Sequence, residues 1–174
     1  QTPECQFATV PNDVQNMDAT TVLESVTAIE NFSNFQRFLA PPTPSPDKPG
    51  GAASIAKGKA AFSEVGCALC HTPALKTSML SSVPALRSQT ANLFSDLLVH
   101  DMGEGLADGV SQGQAGPREF RTAPLWGLGQ RVFFLHDGRT SDLVEAIQLH
   151  SSSGSEANGV IRDFNRLRED LKQD

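Results

Sequence analysis

Tyrosine is absent from this sequence and tryptophan occurs once, so aromatic packing falls to ten phenylalanines. The rest of the interior must come from Leu, Val and Ala, which leaves room for a filler supplied from outside the chain. No apolar run approaches the roughly 20 residues of a membrane-spanning helix, so no membrane span is expected. Positive charge is scarce as well: 14 Lys and Arg stand against 20 Asp and Glu, for a net charge of -6. A nucleic-acid partner calls for the opposite balance and is not expected, whereas an acidic surface suits docking on a basic protein. Cysteine is too scarce for a disulfide framework, since the three present cannot all pair and two stand in C-x-x-C spacing. Cys5 reads as a lone thiol. A basic start followed by an apolar stretch is also missing at Gln1, and the expectation is that an export leader has been removed or omitted.

With 174 residues the chain is long enough for one main core plus an appendage. Val22, Val26, Ile29, Phe32, Phe35 and Leu39 recur at helical spacing and predict a helix that Pro41-Pro42 stops. The organisation expected is an N-terminal extension with one helix over 1–42, a Pro/Gly linker over 43–52 and a main domain over 53–174. A second helix is predicted from about Ser54 to Glu64, with Gly66 turning the chain sharply behind it. Residues 72–116 lack periodicity and predict a long loop with one or two brief helices or strands, of a length that usually serves a site. Ser141 or Asp142 can cap a short helix through Leu149, which leaves His150 at its C-terminal edge. Val160, Phe164, Leu167 and Leu171 predict the buried stripe of a last helix.

Between the second helix and the long loop stands Cys67-Ala68-Leu69-Cys70-His71. Two thiols separated by two residues can each add across a haem vinyl group, and the adjacent His then faces the iron from beneath the ring. The expected cofactor is therefore one covalent c-type haem, bound through Cys67 and Cys70 with His71 as an iron ligand. A structural zinc site would need a second tight cluster, but His100, His136 and His150 are dispersed. A thioredoxin-like C-x-x-C would need a surrounding strand and helix pattern that is missing. The fold class expected is mostly α, a cytochrome c-like helical domain with long loops and an N-terminal helical extension. Maturation of such haems points to a periplasmic or extracellular location.

Candidates for the sixth iron position are Met79, His100, Met102, His136 and His150. His150 is placed first because it directly precedes the final helix and imidazole ligates strongly. Met102 is second, and would raise the reduction potential if it ligates or pack beside the ring if it does not. His136 reads as a structural imidazole bonded to a loop carbonyl or to Asp137. Arg121, Arg131 and Arg139 are candidates for pairing with haem propionates, Arg121 first because Phe120, Pro124, Leu125 and Trp126 surround it in sequence. Trp126 and Pro124 are expected against the ring, with His100 and Met102 also near it.

Several stretches together resemble the di-haem oxidoreductase family, also called thiol oxidoreductases, a branch similar to the bacterial di-haem cytochrome c peroxidases. They are Gly66 through His71, Leu98 through Gly103 with Leu106-Ala107-Asp108-Gly109, Phe120 through Gly129, and Leu135 through Arg139. Leu143 through His150 resembles the peroxidase helix that ends in a distal Met, with His150 in the place of that Met. The resemblance thus implies a bis-histidine iron held by His71 and His150. It also implies a second C-x-x-C-H in another domain, which this sequence does not carry. Phe35 through Pro42 resembles the last helix of that other domain, so the chain is similar to the C-terminal haem domain plus a remnant. The function expected is electron transfer with a redox protein partner, which a second haem domain would satisfy. The alternatives are a peroxidase-like enzyme using His100 or His136 as proton shuttle, and a haem-based sensor or interaction subunit.

Overall fold

The computed structural model describes residues 28–47 and 49–167. Cys5, Val22, Val26 and Leu171, singled out above, lie outside the described residues. The chain divides into two units, Gln1–Pro41 and Pro42–Asp174. In the first, helix α1 spans Ala28–Phe38, with Ile29, Phe32 and Phe35 recurring at intervals of three residues along it. It ends three residues before Pro41, consistent with the inability of consecutive prolines to continue the backbone ladder.

The second unit opens with helix α2, Gly51–Glu64. It begins ahead of the expected Ser54, because Gly50 and Gly51 both adopt positive φ and turn the chain directly onto Ala52 and Ala53, strong helix formers. Val65 closes the helix, Gly66 takes φ 96°, and a single 3-10 turn, Cys67–Leu69, follows. Strands β1 (Leu75–Lys76) and β2 (Thr90–Ala91) pair antiparallel, Leu75 opposite Ala91. Strands β3 (Val99–Asp101) and β4 (Glu119–Arg121) also pair antiparallel, with His100 opposite Phe120. Helices α3 (Leu143–Gln148) and α4 (Asn158–Arg166) complete the unit.

This architecture corrects the expected fold class. Among the described residues there are four α-helices and two small antiparallel sheets, joined by long loops, so the fold is mixed α/β and loop-rich rather than a mostly α, cytochrome c-like helical domain. The physical reason lies in short polar side chains that capture backbone N–H groups two residues ahead. Ser95 Oγ accepts from Leu97, Asp96 from Leu98, Asp101 from Gly103, Asp108 from Val110 and Asp137 from Arg139. Each such turn offers the backbone a partner that competes with helix formation.

Among the described residues the buried apolar ones are Ala61, Val65, Leu106, Ala146, Ile161 and Phe164, and all but Leu106 belong to α2, α3, α4 or the residue closing α2. On α4 the expected Phe164 is joined by Ile161, while Val160 and Leu167 are half-buried. Burying two side chains of this size stabilises the helix by about 1.5–3 kcal/mol each. Helix α3 is capped by Asp142, whose Oδ1 accepts from the Glu145 N–H at 2.9 Å, while the Glu145 carboxylate reaches back to the Thr140 hydroxyl. A cap of this kind stabilises by about 1 kcal/mol.

At Gly103 the loop after β3 comes close to the backbone of residues 153–155. A Cβ there would lie 2.6 Å from the Ser153 carbonyl oxygen and 2.7 Å from the Ser155 nitrogen, and its φ is 74°. Both the close approach and the left-handed conformation demand glycine. Gly103→Ala is expected to destabilise the protein by about 2 kcal/mol or more in urea unfolding followed by circular dichroism. An unchanged midpoint would refute the close packing of residues 103 and 153–155.

Candidate functional site

The 3-10 turn after Gly66 sets the C-x-x-C-H group. The Leu69 N–H donates to Gly66 O at 3.0 Å and the His71 N–H to Cys67 O at 2.9 Å, which winds the two cysteines and the histidine into one tight coil. A Cβ on Gly66 would meet both Leu69 and Val160 at 3.3 Å, so α4 lies directly over the entrance to this coil. Cys67 and Cys70 are both free thiols and half-buried. Burial pushes both thiols above the ordinary cysteine range, and at Cys70 the Asp96 and Glu156 carboxylates add to it. A thiol–disulfide catalyst needs the reverse, a thiolate stabilised near neutral pH.

The loop 93–98 lies against this coil. Asp96 N–H donates to Cys70 O at 2.8 Å and Ser95 N–H to Thr72 O at 2.9 Å. Ser95 is fully buried, and its hydroxyl donates to Thr122 O at 2.7 Å. The loop thereby delivers the Phe94 carbonyl to His71, whose Nδ1 lies 2.9 Å from it. Since a carbonyl can only accept, His71 carries its proton on Nδ1, which leaves the lone pair on Nε2. Phe62 flanks the ring at a centroid distance of 6.4 Å and meets Phe94 edge-on at 6.0 Å. Burial pushes the His71 pKa down, partly offset by the Phe94 carbonyl, and the nearby His150 and His100 lower it further.

His150 repeats the arrangement. Its Nδ1 lies 2.7 Å from the carbonyl of Ala146, one helical turn back on α3, which again leaves Nε2 with the lone pair. Its own carbonyl accepts from the Ser155 hydroxyl at 2.6 Å. The loop behind it is tied to the segment 102–105. Glu104 N–H donates to Ser153 O at 3.0 Å, Gly105 N–H to Ser152 Oγ at 2.9 Å, and Ser152 Oγ to Met102 O at 3.3 Å.

His100 is built differently. Its Nε2 lies 2.9 Å from Asp96 Oδ2 and its Nδ1 2.8 Å from Glu156 Oε2. Both ring nitrogens thus face carboxylates, the arrangement of an imidazolium, and the Glu156 and Asp96 carboxylates raise the His100 pKa against the opposing effect of burial. At Asp96, burial works upward, but the Leu98 N–H and His100 outweigh it and hold the carboxyl below its ordinary value. Glu156 is lowered by His100 and by the Asp101 N–H. Cys70 Sγ, an Asp96 oxygen and a His100 nitrogen lie within 4.8 Å of one another, close enough to ligate a metal together. In the arrangement described, however, neither nitrogen of His100 has a free lone pair.

The remaining candidates are placed as follows. Met102 is half-buried in the loop after β3, its N–H donating to Arg118 O at 2.8 Å, and Met79 is exposed. Arg121, at the end of β4, is exposed. Trp126 Nε1 donates to Asn92 O at 2.5 Å, and Pro124 O accepts from Arg131 at 3.4 Å. Arg139 is engaged by Asp137 at 2.6 Å and by Gly105 O at 2.7 Å. His136 stacks on Phe120 with ring centroids 4.4 Å apart. Asp96 and Glu156 join the site without a sequence feature that marks them. Asp96 stands four residues before His100, a spacing that carries a signal only if the segment is a helix, and Glu156 has no local signal at all.

A family model described as "Di-haem oxidoreductase, putative peroxidase" matches residues 15–173 of the chain. No curated protein and no solved structure matches it.

The cluster makes a pH prediction with a definite sign. His100, raised in the folded state, contributes stability that is complete below its unfolded pKa of about 6.5 and is lost as pH rises through the folded value. Asp96 and Glu156, both lowered, contribute stability that is complete above their unfolded values of about 4 and is lost as pH falls through the folded ones. Urea midpoints of wild type minus those of His100→Asn are expected to peak between about pH 4.5 and 6.5 and to decline on either side. Parallel profiles for the two proteins would show that the charges are not paired.

Proposed function

Because the chain belongs to the di-haem oxidoreductase family, we propose that it is a c-type cytochrome electron-transfer protein or domain, in which Cys67 and Cys70 would bond one haem and His71 and His150 would hold its iron. Haem in the family's name accounts for the cofactor class, and the residues here fit the group. The observation that carries the reading is that both histidines donate Nδ1–H to a backbone carbonyl, Phe94 for His71 and Ala146 for His150. Each Nε2 is thereby left as the donor atom, and the carbonyl increases its basicity, as with metal-bound histidines generally. When bound, haem supplies one-electron chemistry between ferric and ferrous iron.

The chain's own residues then perform three tasks. Cys67 and Cys70 fix the ring to the 3-10 turn. Phe62, beside His71 and packed edge-on against Phe94, shields one side of the imidazole, and the Phe94 carbonyl orients it. The Ser155 hydroxyl and the stitched loop 151–156 hold the backbone at His150. Two imidazoles give a lower reduction potential than a His/Met pair, and constant ligation keeps rearrangement on electron transfer small. The exposed Arg121 remains available for a haem propionate. Trp126 and Pro124, on the connection after β4, are proposed ring contacts, and Met102 a packing neighbour.

The family is named for two haems, whereas this sequence carries one C-x-x-C-H. The proposed partner is therefore a second haem domain or another redox protein, with no membrane-spanning helix among the described residues. A periplasmic or extracellular location belongs to the same proposal, since thioether attachment of haem is matured there.

The peroxidase activity in the family description is the second reading. One observation favours it: His100 holds a proton between two carboxylates within reach of Cys70, the position of a proton store. His136, the other shuttle candidate, is exposed and stacked on Phe120.

Absorption and electron paramagnetic resonance spectra of the haem-loaded protein separate the two readings. A low-spin spectrum without the near-infrared Met–iron band is expected, and His150→Ala is expected to convert it to high spin. A wild-type ferric centre that is high spin and shifts with peroxide would replace the carrier by the enzyme. Loss of covalent haem in Cys67→Ser with Cys70→Ser, read by denaturing-gel haem staining, is expected in either case.

A further inference from the structure

His100, Asp96 and Glu156 have no part in the ligation just proposed, yet they form a continuous path between its two ends. The Cys70 carbonyl accepts from Asp96 N–H at 2.8 Å, Asp96 Oδ2 lies 2.9 Å from His100 Nε2, and His100 Nδ1 lies 2.8 Å from Glu156 Oε2. Glu156 follows Ser155, whose hydroxyl donates to the His150 carbonyl at 2.6 Å. Glu156 is further locked onto β3: its N–H donates to Asp101 O at 2.9 Å, and its Oε1 accepts from Asp101 N–H at 3.0 Å. The path runs from the residue beside His71 to the backbone of His150.

We propose that Asp96, His100 and Glu156 are positioning residues, a charged strut that sets the span between the Cys70-His71 segment and the His150 segment and so retains His150 on the iron. The proposal rests on the reading of His150 as the distal ligand. Ser151 through Glu156 reads SSSGSE, with no apolar side chain to anchor it and Glu156 as its one charge. Hydrogen bonds between ionised groups are roughly twice as strong as neutral ones, and Glu156, at 55 % side-chain exposure, supplies the loop's ionic tie, to His100. Its partner His100 is mostly shielded, with 17 % side-chain exposure, and so is Asp96 at 13 %, which limits screening of the inner arm. The neighbouring Arg118 leaves the strut free, being engaged by Asp101 and Glu104. A strut of this kind favours electron transfer over ligand binding, because an external ligand must wait for His150 to depart.

The test is the rate at which cyanide binds the ferric, haem-loaded protein, followed by stopped-flow absorption at constant pH. Glu156→Gln and His100→Asn are expected to bind about tenfold faster than wild type, each keeping a low-spin resting spectrum and full haem content, a change of about 1.4 kcal/mol in the barrier. Glu104→Gln, which removes a carboxylate from the adjoining segment 102–105 and leaves Arg118 paired with Asp101, is expected to bind at the wild-type rate. His150→Ala serves as the upper limit. Wild-type rates in both strut variants alongside a fast His150→Ala would overturn the strut and leave the ligand assignment standing. Equal acceleration by Glu104→Gln would also overturn it, by showing general loosening of the loop. A His150→Ala protein that stays low spin and slow would overturn the ligand assignment, and the strut with it.

Discussion

A neutral imidazole has one N–H and one lone pair, so the partner taken by one nitrogen decides what the other can do. In this chain a backbone carbonyl takes the Nδ1 proton of both His71 and His150. That constraint organises much of the larger unit. For His71 it requires loop 93–98 to fold back on the 3-10 turn, which is why Asp96 and Ser95 bond to Cys70 and Thr72. For His150 it requires the ring to lie along the last turn of α3, where the Ala146 carbonyl lies within reach. His100 marks the contrast: with a carboxylate on each nitrogen it becomes a charged structural element rather than a donor atom.

Loops with few apolar anchors carry most of this geometry, and their precision comes from polar side chains bonded to nearby backbone. The Asx-type turns at Asp96, Asp101, Asp108 and Asp137 shape the chain locally. Longer ties then fix the turns against one another: Asn158 accepts from Ser151 and donates to Ser152 O, and Arg139 clamps Gly105. Gly103 permits the closest of these approaches. The cost of the arrangement is a small apolar core, centred on α2, α3 and α4.

The electrostatics of the site follow from the same layout. Burial disfavours the protonated form of His71 and the deprotonated form of both thiols. Charge is moved outward to the Asp96-His100-Glu156 cluster and to the Arg118 pairs with Asp101 and Glu104. A half-buried C-x-x-C-H group with its charges paired at a distance is the layout that the proposed one-electron centre would need.

The residues alone were enough to expose the C-x-x-C-H group, because its chemistry needs only three side chains within five positions, and to place the family, which the match over residues 15–173 bears out. They also marked α1, α2, the Asp142 cap and α4, since helical period and capping are local signals. The expected helical fold class failed between His71 and Asp142. There the chain follows Asx turns and the two strand pairs, and the pairing of β3 with β4 joins residues about 20 positions apart without any alternating apolar pattern to announce it. The proton position on His71, and the junction of Asp96, His100 and Glu156, belong to tertiary structure alone, whereas His150 meets a carbonyl four residues back on its own helix. Hydrogen-bond partners that lie 23 and 56 residues apart leave no trace in sequence spacing, and only the folded backbone decides which carbonyl or carboxylate each ring will meet.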